Sequence, residues 1–175
     1  MNESEQEIAS VCAMSELVGR QAQLATLNQL LEPIRSRVGN DRPGYCLLMR
    51  GRRRVGKSRL VETFAERSGV PTLYFTASRQ QRGELDLFAE AVIESNLPSS
   101  DLFGGTQMGN WDAALRLLNT VLPDDVPSII IFDEFPYFVE QDRSIEATFQ
   151  KQWDRLLRPQ RSSTLSYYGG PSSHL

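Results

Sequence analysis

One eight-residue segment limits what this chain can fold into more than any other feature. The segment, Gly51-Arg-Arg-Arg-Val-Gly56-Lys57-Ser58, matches the pattern of a glycine, four residues and then Gly-Lys-Ser/Thr. An apolar run of strand length, Tyr45 to Met49, precedes it, and helical periodicity follows from Lys57 to Arg67. Glycines permit positive φ and close approach of the backbone to oxygen atoms, and successive amides at a helix N-terminus form a cradle for an anion. The sequence therefore predicts a phosphate-binding loop between a buried strand and a helix.

The residue types in this loop suggest individual roles. We expect the ammonium group of Lys57 to contact the β- and γ-phosphates, and the hydroxyl of Ser58 to hold Mg²⁺. The residues predicted to bind the phosphates are Gly51, Arg52, Arg53, Arg54, Val55, Gly56, Lys57 and Ser58. The three arginines allow two interpretations. One of them could add charge at the γ-phosphate or touch a neighbouring subunit, or all three could be solvated charges that pair with acidic surroundings.

Charge is distributed unevenly along the chain. The net charge is −3, yet six of the ten residues from 50 to 59 are basic, and the remaining 13 basic residues face 22 acidic ones. This segment is therefore suited to meet an anion. A nucleic-acid patch is disfavoured because the basic cluster is short and has no aromatic residues interleaved with it.

A second acidic motif ends another apolar run. Ile129-Ile130-Ile131-Phe132 is followed at once by Asp133 and Glu134. Carboxylates are costly to bury, so a pair at the carboxyl end of a strand indicates a cleft. Asp133 is predicted to position Mg²⁺ through water, and Glu134 to act as the base that polarises an attacking water. Acidic residues also end many strands without a catalytic role, so this motif gains its meaning beside the phosphate loop.

Apolar runs alternate with helical patterns along the chain. Strands are predicted at 45–49, 72–76, 128–132 and 164–168, and helices at 20–34, 57–67, 84–95, 111–121 and 145–157. Asn110 is placed to cap the fourth of these helices, and Gly104 and Gly105 indicate a loop before it. Buried strands that alternate with helices predict an α/β fold with a mostly parallel sheet that is covered on both faces.

Composition excludes several other kinds of chemistry. The chain has two cysteines, Cys12 and Cys46, and one histidine, His174, so a disulfide framework, a thiolate-rich metal site or a histidine-dependent triad is disfavoured. Cys46 is expected to be a small buried hydrophobic residue in the first strand. No apolar run approaches the ~20 residues of a membrane span, and the N-terminus is acidic, so a cytoplasmic protein without a membrane partner is expected.

Three motifs together resemble the archaeal-type ATPases, a prokaryotic group close to the AAA+ and STAND nucleoside triphosphatases. They are Leu17-Val18-Gly19-Arg20 with its helix, the arginine-rich loop (Walker A), and Asp133-Glu134-Phe135-Pro136-Tyr137 (Walker B); Trp153-Asp154 is also similar. The resemblance spans about residues 16 to 165. It implies a three-layer P-loop NTPase core, RecA-like or AAA+, that binds ATP and Mg²⁺, with Val18, Gly19 and Arg20 near the adenine. By residue chemistry alone, Gly19-Arg20 is equally an ordinary helix entry.

The predicted boundaries follow from the same comparison. Residues 1–15 are expected to be a disordered tail, with Met14 as an alternative start, residues 16–168 the ATPase domain, and 169–175 an irregular tail. The family has a polar sensor at the end of the fourth strand, then a helical lid and commonly a winged-helix region that could bind DNA. The segment after Thr164 does not match that pattern, so we expect a truncated C-terminal end and impaired hydrolysis.

Three functions are compatible with these features. The leading hypothesis is a Mg²⁺-dependent ATPase domain with Lys57 and Glu134 as catalytic residues and Ser58 and Asp133 at the metal. The alternative is a non-catalytic nucleotide-binding module that serves a protein partner or a second copy of the chain. A P-loop kinase is a third option, which Glu134 beside Asp133 argues against.

Overall fold

Strand β3, Ser128–Asp133, forms the centre of the structure, since all six of its residues are buried. The computed structural model describes residues 19–36, 45–49, 55–78, 83–123, 126–141, 143–157 and 162–167. The remaining strands are β1 (Cys46–Met49), β2 (Thr72–Thr76) and β4 (Ser162–Tyr167). The helices are α1 (Gln21–Arg35), α2 (Lys57–Ser68), α3 (Glu84–Glu94), α4 (Trp111–Val121), α5 (Phe135–Gln141) and α6 (Ile145–Gln152). A 3-10 helix covers Ser100–Gly105, and a π-helical turn, Trp153–Leu157, follows α6.

The four strands form one parallel sheet in the order β1-β4-β3-β2. Each connection between consecutive strands contains at least one helix, as parallel pairing requires. Strand β3 pairs with β2 on one side, where Asp133 lies opposite Thr76, and with β4 on the other, where Phe132 lies opposite Ser166. The predicted α/β fold with a parallel sheet is confirmed.

Alternate residues of the central strands enter two separate cores. On one face, Ile129 and Ile131 pack with leucines of α1 and α2. On the other face, Ile130 and Phe132 pack with α3, α4 and α6. Phe132 lies at the centre of an aromatic cluster and is stacked on Phe88 with ring centroids 6.1 Å apart. Two covered faces of one sheet give the three-layer arrangement that the apolar strands predicted.

Most predicted elements occur where the sequence placed them. Helix α1 begins one residue later than predicted, at Gln21, and Asn110 caps α4 by accepting a hydrogen bond of 2.9 Å from the amide of Ala113. The predicted loop at Gly104 and Gly105 is instead the end of the 3-10 helix. Helix α5 was not predicted, and the helix predicted from Ile145 to Leu157 changes to a π-helical turn at Trp153.

The expectation that Cys46 is buried was wrong, because its side chain is exposed. Strand β1 lies at one edge of the described sheet, where only Leu47 and Met49 face the core beside α1 and α2. Cys46 and Leu48 alternate with them and point to the opposite face, where Leu48 is 48% exposed. Within the described residues, β1 is therefore an apolar strand with only one covered face.

The aromatic residues after Glu134 serve mainly to anchor α5. Phe135 and Phe138 are buried in the larger core, and Tyr137 packs partly against it. None of the helices in the described ranges combines the length and the apolar character needed to cross a bilayer. The predicted tails, 1–15 and 169–175, lie outside the described residues.

Candidate functional site

The two acidic residues and the end of the predicted phosphate loop meet at the carboxyl edge of the sheet. Asp133 is the last residue of β3, and its carbonyl accepts a hydrogen bond of 3.0 Å from the amide of Ala77, just after β2. Helix α2 begins at Lys57, and it is the first helix after β1, which ends at Met49. Because parallel strands all end at the same edge, the start of α2 lies beside the end of β3.

Three hydrogen bonds fix the carboxylate of Asp133, which is 6% exposed. The Ser58 hydroxyl donates to Oδ2 at 3.0 Å, and the Tyr74 phenol donates to the same oxygen at 2.7 Å. The backbone amide of Glu134 donates to Oδ1 at 2.8 Å. A buried carboxylate is costly unless it is satisfied in this way, so the group is held ready and in one orientation.

Lys57 is buried at the first position of α2, with 4% of its surface exposed. Burial lowers the pKa of its ammonium group, and the charge of Arg20 adds to that decrease. The carboxylates of Asp133 and Glu134 act in the opposite direction and raise the pKa. A cation that is partly desolvated in this way gains from an anionic ligand more than a fully hydrated cation does.

Glu134 has a backbone conformation that is rare for a residue with a side chain. Its φ is 55°, in the left-handed region, where a non-glycine residue costs on the order of 1–2 kcal/mol. Its Oε2 is buried and, within the described ranges, accepts no hydrogen bond. Strain of this kind at a strand end, with an acceptor left open, is typical of functional sites.

The described end of the predicted phosphate loop, Val55 and Gly56, includes a positive φ of the kind that the glycine pattern permits. Gly56 has a φ of 75° and turns the chain directly into α2. The guanidinium of Arg20 donates a hydrogen bond to the carbonyl of Val55, which links the start of α1 to the loop. Gly19 is exposed and also has positive φ, 84°.

The site thus contains many of the residues that the sequence singled out, and one that it did not. The structure places Arg20, Val55, Gly56, Lys57, Ser58, Asp133 and Glu134 around the end of the loop. Val18, Gly51, Arg52, Arg53 and Arg54 lie outside the described residues. Tyr74 was missed, because a tyrosine in a strand carries no signal beyond β propensity.

The oxygen atoms of Ser58 and Asp133 suit Mg²⁺, and they are too few to enclose a metal that takes all of its ligands from the protein. Mg²⁺ is usually bound by one or two side chains together with waters and substrate phosphates. The Ser58 hydroxyl donates a hydrogen bond to Asp133, so the lone pairs of its oxygen stay available to a cation. Nowhere in the described ranges do three or more His, Cys, Asp or Glu residues cluster as a metal site.

The chain has a parallel α/β sheet, a glycine turn into α2 and an acidic end of β3, and its fold is similar to that of AAA+ P-loop ATPase domains. No protein-family model matches the sequence, and no match was found among curated proteins.

Three solved structures illustrate the likeness. Drosophila ORC bound to DNA superposes with a TM-score of 0.66 at 16% identity, over 93% of this chain and 41% of that one. Cdc6p from Pyrobaculum aerophilum gives 0.59 at 20% identity, over 89% and 40%. The Aeropyrum pernix ORC2 protein in its ADP form gives 0.57 at 16% identity, over 89% and 43%. These similarities concern the fold alone, and the chain spans about two fifths of the length of each.

Proposed function

We propose that this domain binds ATP with Mg²⁺ and hydrolyses it. The observation that carries the proposal is the hydrogen bond from Ser58 to Asp133, which joins the phosphate-loop motif to the acidic motif across 75 positions of sequence. The motifs that resemble the archaeal-type ATPases support the proposal that the domain is related to that group. One structural neighbour is an ADP form, which is consistent with an adenine nucleotide as ligand.

Each described residue has a distinct part in the proposed reaction. Lys57, at the N-terminus of α2, binds the β- and γ-phosphates together with the loop amides. Ser58 and Asp133 would hold Mg²⁺, which would neutralise charge on the phosphates. The arginines at 52–54 are proposed to add positive charge beside the phosphates.

Glu134 supplies the base. A water oxygen attacks the γ-phosphorus as the bond from that phosphorus to the ADP oxygen breaks, and Oε2 of Glu134 takes the proton of the water. The open, buried Oε2 supports this role. The position of Glu134 directly beside Asp133 also favours transfer to water over the transfer to a second substrate that a kinase performs.

The test compares the wild type with two variants, using a fluorescent ATP analogue for binding and phosphate release for turnover. Lys57→Ala should lose both the binding of the analogue and the release of phosphate. Glu134→Gln should retain binding within about twofold and lose turnover by about 100-fold or more. The chain contains one other lysine, so Lys151→Ala is the matched control, and Glu140→Gln, on the exposed side of α5, is the control for the second variant.

The outcomes separate two functions. If the wild type binds the analogue but releases phosphate no faster than Glu134→Gln, the domain is a nucleotide-binding module that serves a partner. If Lys57→Ala binds as tightly as the wild type, the proposed site is wrong.

A further inference from the structure

We propose that Tyr74 is a positioning residue for the magnesium site: its phenol holds the Asp133 carboxylate in the orientation that Ser58 and the cation require. This inference rests on the proposed function, because it assigns a role toward the metal of that same site. It is carried by the 2.7 Å hydrogen bond from the phenol to Oδ2.

Sheet register brings the phenol to Asp133. Tyr74 lies in β2 opposite Ile131, two residues before Asp133 along β3. A diagonal neighbour across two strands is too far for short side chains but within reach of an aromatic one. The ring packs beside the core that α1 and α2 form, and only its hydroxyl reaches the strand end.

The two donors on Oδ2 act together. Tyr74 and Ser58 both donate to that oxygen, while the Glu134 amide donates to Oδ1. With all three in place the carboxylate plane is fixed, and the Ser58 hydroxyl is turned so that its proton faces Asp133 and its lone pairs face away. Without the phenol, Oδ2 keeps one donor, and the carboxylate can rotate and release Ser58.

The phenol remains a donor throughout the ordinary pH range. Burial is the main cause that raises the pKa of Tyr74 above its usual value, and the hydrogen bond to Asp133 adds to it. Tyr74 therefore keeps its proton and donates it in a hydrogen bond to the Asp133 carboxylate, without competing with a cation for a site. Groups that orient a metal ligand typically change metal affinity by 10–100-fold when they are removed.

The experiment uses Tyr74→Phe in the full chain, since phenylalanine keeps the ring and removes only the hydroxyl. Binding of a fluorescent ATP analogue is measured over a titration of Mg²⁺ and again in excess chelator. We expect the Mg²⁺ concentration for half-maximal binding to rise about 10-fold, while binding in chelator stays within about twofold of the wild type. Tyr45→Phe removes a phenol beside β1, far from Asp133 in the sheet order, and should change neither quantity.

A purely structural role gives a different pattern. It would weaken binding of the analogue equally with and without Mg²⁺, and that result overturns the inference. An unchanged Mg²⁺ titration in Tyr74→Phe also overturns it, while leaving the proposed function intact. If the wild type shows no Mg²⁺-dependent binding of the analogue, the proposed function itself fails. The wild-type titration alone gives that result, before any variant is compared.

Discussion

Ser58 and Asp133 lie 75 positions apart in sequence, yet the Oγ of one donates to the Oδ2 of the other at 3.0 Å. The contact joins the second residue of α2 to the last residue of β3. The lone pairs of the Ser58 hydroxyl oxygen stay available to a cation. A single hydrogen bond therefore orients both of the side chains proposed to hold Mg²⁺, Ser58 and Asp133.

Replacing Ser58 with alanine should therefore uncouple nucleotide binding from Mg²⁺. We expect Ser58→Ala to raise the Mg²⁺ concentration for half-maximal binding of a fluorescent ATP analogue by about 10-fold or more. Ser58→Thr keeps the hydroxyl and should remain close to the wild type, because the motif accepts either residue. Equal Mg²⁺ titrations for the alanine and threonine variants would remove the hydroxyl from the metal site.

The strain at Glu134 predicts an unusual order of stability. At φ 55° glycine is relaxed and alanine is not, so Glu134→Ala should have a free energy of unfolding about 1 kcal/mol lower than Glu134→Gly. Urea unfolding measures the difference. The control is the same pair at Glu90, exposed in the middle of α3, where alanine should instead be the more stable by about 1 kcal/mol. The same order at both positions would contradict the strain.

The sequence predicted the parts of the site that depend on local pattern. Two local motifs are enough to predict five residues of the candidate site without any knowledge of packing. One is the loop between an apolar strand and a helix, and the other is the pair of carboxylates that ends another strand. The residues are Gly56, Lys57, Ser58, Asp133 and Glu134. The contact of Tyr74 with Asp133 depends on the register of β2 against β3, which periodicity does not specify. The exposure of Cys46 depends on the position of β1 in the sheet, which is a property of strand order.

The Tyr74 phenol also predicts a change at alkaline pH. Its pKa is raised in the folded protein, chiefly by burial, above the value of about 10 that the unfolded chain has. The unfolded state therefore loses this proton first, so the stabilisation is full below pH about 10 and falls as the pH rises further. Urea unfolding should show a steeper loss of stability above that pH for the wild type than for Tyr74→Phe. Parallel slopes for the two proteins, with Tyr45→Phe as reference, would contradict a buried phenol.

Asp112 predicts a loss of stability at the acidic end of the scale. Hydrogen bonds from Arg116 at 2.7 Å, from Lys151 at 2.9 Å and from Gln152 lower the pKa of its carboxyl and join α4 to α6. Its pKa is lower when folded, so the stabilisation is present above the unfolded value of about 4 and is lost as the pH falls below it.

The measurement is urea unfolding of the wild type and Asp112→Asn at neutral and at acidic pH. The wild type should be the more stable at neutral pH, and the two should converge below pH about 4. Asp101→Asn, exposed on the 3-10 helix, serves as the control. A difference that does not depend on pH would assign the effect to packing rather than to charge.

Substitution of Arg20 tests whether the start of α1 affects binding of the adenine or binding of the phosphates. Its guanidinium contacts the carbonyl of Val55, at the end of the phosphate loop. Arg35, at the other end of the same helix, makes the same kind of contact with the carbonyl of Ser68, at the end of α2. The two arginines thus link α1 to the two ends of α2, and only one link adjoins the site.

Arg20→Met should therefore weaken binding of fluorescent ATP and GTP analogues by similar factors, on the order of 3- to 10-fold for the loss of one hydrogen bond that supports the loop. Arg35→Met should lower the thermal midpoint without changing either affinity. A loss confined to the ATP analogue would place Arg20 at the adenine, as the resemblance to archaeal-type ATPases implies. Equal losses would instead assign the residue to the phosphate loop, which is the outcome that its contact with Val55 favours.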